Sequence, residues 1–425
     1  MTSEVALMNR SAVILAADSA ATVKVWENGV EKERYFKGAN KIFNICSTQP
    51  VGVMIYDGAD FQGVPWEVIA KGYRDQRKGA SQAHLSSYPA DLFEFIISDA
   101  SLFPQQQQLE QFSNYVVDSA LRFAGLIGRH SSVSSATTPA AKAAAKRTMF
   151  SNFQAWVASD AYFDGIDDAF VHMHAHPNLA PAAQTLGTSQ LYADVQDELT
   201  ADEIVLLAAA AVFKRAWTTL RVTGVVFAGY GSSEYFPHLA HYRCYGVMFG
   251  KLIHENLAAQ AKSISVDNVS EIVPLAQSDM IKTFMFGASP TALGRLDGLF
   301  ETGLSVFVDD LKQNGHLAQT ANVDAERSAV LQTLRQLSST YLDNSHTKPL
   351  KQVIGLFSVP ELAELAETLV SIESLKERVT TPSESVSGPI DVAAISKSDG
   401  FVWIKRKHYF DPALNPRFFE RRRAN

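Results

Sequence analysis

The spacing of apolar and polar positions changes several times along the chain. Glu4 to Met8 and Ala12 to Ala17 read as two strands joined at Asn9-Arg10-Ser11. Lys41 to Ile45 and Gly52 to Tyr56 add strands, so residues 2–61 form a strand-rich unit. Val64 to Arg74 reads as a helix with Pro65 in its first turn, where proline is tolerated. Residues 90–128 are helical: Leu92, Phe95 and Ile96 recur at helix spacing, as do Phe112, Tyr115, Val116 and Leu121. The polar tract Gln105 to Gln108 reads as a connection. Ser131 to Lys146 is low in complexity and reads as an exposed linker that opens an insertion. Residues 148–220 are mostly helical, with Leu206 to Trp217 as a buried helix.

Val222 to Gly229 and His241 to Leu252 read as strands on either side of Tyr230 to Glu234. Pro274 to Thr340 reads as helical. Residues 358–376 form a helix with a Ser358/Glu361 capping box and a stripe of Leu362, Leu365, Leu369 and Ile372. A hairpin over 387–392 and 398–404 turns at Asp399-Gly400. The order is strands, helices, strands, helices, strands, which predicts an α+β chain. No internal repeat is visible.

The chain has 425 residues, of which 46% are hydrophobic and 20% charged, with a net charge of −7. It is long enough to bury a large core in two or three domains. The negative balance weighs against general nucleic-acid binding. The clusters Lys405-Arg406-Lys407 and Arg421-Arg422-Arg423 read as a solvated strand face and a terminal tail. Two cysteines, Cys46 and Cys244, give no disulfide framework, and Cys46 reads as a small core residue. No stretch has the pattern of a signal peptide or membrane span, so a cytoplasmic protein without membrane contact is expected. No phosphate-binding glycine loop of the Walker type is present.

The candidate chemistry starts at Thr2. Its small side chain allows removal of Met1, which would leave a chain start carrying both a hydroxyl and an α-amine. Such a pair is a self-contained nucleophile and base. An α-amine has an unperturbed pKa of roughly 7.7–8.0, suited to general-base work. Asp18 follows Thr2 by sixteen residues, within Ala17-Asp18-Ser19-Ala20-Ala21-Thr22. Asn40-Lys41-Ile42 opens a further strand, and Ser387-Gly388 opens the closing hairpin.

In these motifs the chain resembles the proteasome β-subunit branch of the N-terminal nucleophile (Ntn) hydrolases, as an enlarged bacterial-type member. The resemblance implies a four-layer αββα sandwich with large helical insertions. Core segments would be 1–130, 221–284 and 351–425; helical insertions would be 131–220 and 285–350. It implies a threonine peptidase in which Thr2 attacks, Lys41 and Asp18 support the nucleophile, and Ser387, Glu384 and Ser232 orient the amine. A backbone N–H near Tyr56 to Gly58 would meet the oxyanion. Ala21, Met54, Tyr56 and Gly58 would bind substrate, favouring an apolar side chain unless Asp57 points inward. No cofactor is implied. Implied partners are a peptide or unfolded protein substrate, further copies of the chain, and a separate ATP-dependent unfoldase.

The sequence departs from the family pattern at three places. Ala20 stands where an arginine is usual, Glu384 where an aspartate is, and Tyr56 where a glycine is. Two other readings follow: a catalytically inactive Ntn-fold structural or regulatory subunit that retains Met1, and an amidase acting on a small non-peptide amide. A competing signal is His172, His174 and His176, which on a strand would share one face and could bind zinc or nickel. Neither carboxylate nor cysteine supports them, so no metal is assigned. His238 and His241 read as surface or partner-contact residues.

Overall fold

The computed structural model describes residues 2–27, 30–215, 220–380, 388–408, 410 and 414–417, with backbone alone over 22–35. The strands of three or more residues, in chain order, are β1 (Ser3–Asn9), β2 (Ala12–Ala17), β3 (Ala21–Glu27), β4 (Val30–Phe36), β5 (Ile42–Asn44) and β6 (Val51–Tyr56). Then come β7 (Thr223–Gly229), β8 (His238–Met248), β9 (Lys251–Asn256), β10 (Ser270–Ala276), β11 (Asp391–Ser396) and β12 (Gly400–Lys405). The main helices are α1 (Trp66–Arg77), α2 (Tyr88–Ser98), α3 (Gln105–Gly128), α4 (Pro139–Ser159), α5 (Ala180–Gly187) and α6 (Ala201–Val212). They continue with α7 (Asp279–Phe286), α8 (Pro290–Gln313), α9 (Asp324–Leu342), α10 (Lys348–Ile354) and α11 (Val359–Thr380).

The strands form two antiparallel sheets and a separate β3-β4 ribbon. One sheet runs β10-β1-β2-β11-β12; the other runs β9-β8-β7-β6-β5. Strand alternation assigns the faces. On β1, Ala6 and Met8 join Val13 and Leu15 of β2, Met54 of β6 and Val226 of β7 in a core between the sheets. The odd positions Val5 and Leu7 pack outward with Ile14 on Leu362, Leu369 and Val370 of α11 and Ile281 of α7. On the far sheet, Val53, Ile55 and Phe227 pack outward on Ile69 and Tyr73 of α1 and Leu92 of α2. The chain is therefore a mixed α+β structure whose layers run helices, sheet, sheet, helices.

A fourth core lies to one side. Phe112, Phe123, Phe150, Leu186, Val205 and Phe213 bury one another among α3 to α6, reaching Met248 and Ile253 of β8 and β9. Outside it, α8 has no buried residue and exposes Leu299, Phe300, Val306 and Phe307.

Several segments differ from the sequence reading, each for a local reason. Ser131 to Lys146 is no linker: most of it is helix, and α4 starts at Pro139. The Thr138 hydroxyl accepts from the Ala141 N–H at 3.2 Å, proline takes the first helical position, and the alanines that follow are the best helix formers. Gln105 to Gln108 is the first turn of α3, where Gln107 and Gln108 donate to the carbonyls of Gln62 and Phe103. α6 begins earlier than Leu206, at a Thr200/Glu203 capping box, and ends at Val212; Trp217 lies outside the described residues. The single strand expected over His241 to Leu252 is a hairpin, turning at Phe249 and Gly250, both at positive φ. Pro274 lies not in a helix but in β10, an edge strand where a missing N–H is tolerated. In α11 the buried face includes Ala363 and Ala366, and Ile372 turns outward.

Asn9 ties the β1-β2 turn to the connection between α10 and α11. Its Oδ1 accepts from the N–H groups of Ser11 and Ala12 at 2.9 and 3.2 Å. Its Nδ2 donates to the carbonyls of Ile354 and Phe357 at 3.2 and 2.9 Å. Asn9→Ala removes four hydrogen bonds to backbone groups around a buried position, and of the four groups the Ile354 carbonyl still accepts from the Phe357 N–H at 3.1 Å. Urea denaturation should show a loss of about 3 kcal/mol, the scale expected for buried polar groups left unpaired.

Candidate active site

The β1-β2 hairpin turns tightly, so the residue before β1 and the residue after β2 finish side by side. The Ser3 N–H donates to Asp18 Oδ1 at 3.2 Å, and the Asp18 N–H donates to the Ser3 carbonyl at 3.1 Å. Lys41 stands just before β5 in the facing sheet, its carbonyl accepting from the Ile55 N–H at 2.9 Å. Thr2, Asp18 and Lys41 therefore meet at one open end of the space between the sheets. Glu4 shares the inward face of β1 with Ala6 and Met8 and arrives at the same point.

These four side chains are buried, with relative exposures of 5% for Thr2, 0% for Glu4, 1% for Asp18 and 3% for Lys41. Lys41 Nζ donates to Asp18 Oδ1 at 2.5 Å and to Glu4 Oε1 at 2.9 Å. Thr2 Oγ1 donates to Glu4 Oε2 at 3.2 Å. Burial alone would push the Lys41 ammonium down, but the charges of Glu4 and Asp18 and their hydrogen bonds outweigh it and hold it above its ordinary value. For Glu4 burial wins: desolvation lifts the carboxyl, Lys41 pulls it back, Asp18 lifts it further, and it ends pushed up to about 7.

Thr2 and Lys41 open onto a cavity of about 530 Å³. One wall is the Tyr56–Gly63 segment, and another holds Gln111 and Tyr115 of α3 with Arg221 and Tyr245. The Tyr56 ring does not fill the cavity. In register, Tyr56 pairs with Gly224 and Gly224 with Arg243, and the ring lies across that glycine to reach β8. A Cβ on Gly224 would fall 2.0 Å from the ring. The Tyr56 hydroxyl shares a 2.5 Å hydrogen bond with His241 Nε2. Burial and the nearby Arg243 charge push His241 down to about 4, so it stays neutral. Beyond Tyr56 the chain turns sharply: Asp57 has φ 67°, and the Gly58 N–H donates to the Tyr56 carbonyl at 2.9 Å. Gly58 has no room for a Cβ, which would meet Thr223 Oγ1 at 2.5 Å.

The structure thus brings together Thr2, Asp18 and Lys41, and places Ala21, Tyr56 and Gly58 on the cavity wall. Met54 is not there; it is fully buried between the sheets, because it shares the inward face of β6. Ser232 is also elsewhere. It follows the far end of β7, about 20 Å along the strand from Thr223, with its N–H on the Gln82 carbonyl. Glu384 and Ser387 lie outside the described residues. His172, His174 and His176 sit on helical turns, so they do not share a strand face, and among the described residues no three potential ligands are placed to hold a metal. His241 is core rather than surface. The sequence reading missed Glu4, although its signal was available: a carboxylate two residues from Thr2, on the face of a strand that otherwise carries apolar core positions.

No family model and no curated protein matches the chain. A solved structure of a Gly-1 mutant of Anbu from Hyphomicrobium sp. strain MC1 aligns over 100% of this chain and 96% of that chain, at 9% identity and a TM-score of 0.27. So low a score leaves the chemistry to rest on the site's own geometry. Among the described residues no helix is long and apolar enough to cross a membrane.

The Glu4 shift fixes the sign of a pH effect. Between 4.5 and about 7 the folded chain holds a proton on Glu4 that the unfolded chain has released. Stability from this group is therefore complete below 4.5 and is lost as pH rises through about 7. The loss should be on the order of 3 kcal/mol, read as a falling denaturation midpoint. Glu4→Gln should flatten that slope and leave Asp18 as the ion partner of Lys41.

Proposed function

We propose that the protein is a proteasome-like threonine peptidase of the Ntn hydrolase class, with Thr2 as nucleophile once Met1 is removed. The observation that carries the reading is the Thr2 hydroxyl at the floor of the 530 Å³ cavity, hydrogen-bonded into the buried Glu4–Lys41–Asp18 cluster. The sequence of layers and the position of the threonine at the head of β1 support it. Thr2 Oγ1 attacks an amide carbonyl, the amine product leaves, and water releases the acyl group. The cavity wall carries Asp57, Asp60 and Arg221, so the lining gives no support to an exclusively apolar preference. We extend the proposal to a cytoplasmic homo-oligomer, which light scattering tests.

One observation favours the inactive-subunit reading. The Gly58 N–H, one of the donors expected to meet an oxyanion, is already bonded to the Tyr56 carbonyl. A covalent probe separates the two. A peptide β-lactone should add one acyl group to Thr2, located by intact mass and peptide mapping on a chain shown to begin at Thr2. Thr2→Ala should abolish both the adduct and peptide hydrolysis. Absence of the adduct on the mature chain would sink the catalytic reading and leave the structural one.

A further inference from the structure

Glu4 is the carboxylate that touches the candidate nucleophile. Its two oxygens are divided: Oε2 accepts from Thr2 Oγ1 at 3.2 Å, and Oε1 accepts from Lys41 Nζ at 2.9 Å. Lys41 spends its other resolved hydrogen bond on Asp18, so the ammonium is aimed at the two carboxylates and not at the threonine oxygen. Glu4 thus stands between nucleophile and cation. We propose that Glu4 is the general base for Thr2, taking the role that the resemblance gives to the α-amine. This rests on the reading of Thr2 as nucleophile.

The proton balance closes within the site. As Thr2 Oγ1 bonds to the amide carbon, its proton passes to Glu4 Oε2. The tetrahedral intermediate collapses, the carbon–nitrogen bond breaks, and the leaving nitrogen takes the proton from Glu4. In the second half a water gives its proton to Glu4 as its oxygen bonds to the acyl carbon. The acyl–Oγ1 bond then breaks, and Oγ1 recovers the proton.

Electrostatics favours this direction. With Lys41 charged, both carboxylates ionised and the Thr2 α-amine of the mature chain neutral, the cluster carries one net negative charge; proton transfer to Glu4 makes it neutral. The groups facing Glu4 are Lys41 ahead of β5, Asp18 after β2, the Thr2 hydroxyl, and Tyr56 on β6, whose phenol is pushed up to about 12 chiefly by burial and so stays neutral. On the β10 side its pairing partner is Leu275, which carries no charge. The burial that lifts Glu4 to about 7 also matches it to work near neutral pH.

The test uses the mature chain and a β-lactone, which needs the hydroxyl alone, with the rate of Thr2 acylation followed against pH at two temperatures. The expected ascending limb has a midpoint above the ordinary carboxylate range, because burial lifts Glu4, and that midpoint stays fixed with temperature, because carboxyl ionisation carries little heat. A midpoint that falls on warming is the signature of an amine and would overturn the proposal. Glu4→Gln, checked for folding by circular dichroism, should slow acylation by about 10²–10⁴-fold, the usual contribution of a general base. A folded Glu4→Gln chain acylated within about tenfold of the native rate also overturns it. If that variant does not fold, the temperature series on the native chain decides alone. These failures differ from failure of the parent reading, in which native Thr2 takes no acyl group at all.

Discussion

A buried ammonium held between two buried carboxylates is the constraint on which the open end of this molecule depends. Lys41 comes from one sheet, Glu4 and Asp18 from the other, and none of the three is more than slightly exposed. Such a cluster is weak evidence of net stability, since desolvation of the ions offsets much of their attraction. Its stronger effect is on register. A slip of β1 by one residue would turn Glu4 to the outer face, among Val5, Leu7 and the apolar side of α11, with no cation to meet it. The ion cluster therefore fixes how β1 sits against β2 and β10, and with it the position of Thr2.

What the sequence disclosed of this site was whatever local rules control. The Asn9-Arg10-Ser11 turn joins two short strands, so the adjacency of Thr2 and Asp18 follows from counting along a hairpin. Lys41 before a short apolar strand was legible in the same way. Glu4 was legible too, as a carboxylate among apolar strand positions, but it was read as a strand start rather than as a charge on the core face. Met54 and Ser232 were misplaced for a related reason. Which face a strand residue takes, and which end of a strand a loop occupies, is set by pairing between distant segments.

The larger misreadings came from composition taken in place of propensity. Ser131 to Lys146 looked like a linker because it is simple, yet Thr138 and Pro139 are start signals and alanine favours helix. Pro274 looked compatible with a helix start because the sequence cannot show that β10 is an edge strand. Where the caps were read as caps, at Ser358 and Glu361, the helix was found close to its true bounds; the Glu361 carboxylate accepts from both the N–H and the hydroxyl of Ser358 at 2.7 Å.

The helices of the side core also bear on what can reach Thr2. Gln111 and Tyr115 lie on α3, whose buried face belongs to the side core of α3 to α6, and they form cavity wall together with Arg221 and Tyr245. The wall is thus braced by a core separate from the one between the sheets. A cavity of about 530 Å³ is in the range that holds a small ligand or a few side chains, and is far too small for a folded domain. On the proposed reading, what fits such a cavity is an extended segment or a small amide. Both would meet the Thr2 hydroxyl, and the difference between them lies in whether binding extends past the cavity along the neighbouring strands. The Tyr56–Gly58 turn is where such an extension would have to pass. Asp57 holds a backbone angle that side chains disfavour, and Gly58 is packed against Thr223, so this turn has little freedom to adjust to a bulky substrate. The strain lies in the wall of the cavity onto which the Thr2 hydroxyl opens, where a fixed backbone would serve the proposed chemistry and a poorly placed one would prevent it.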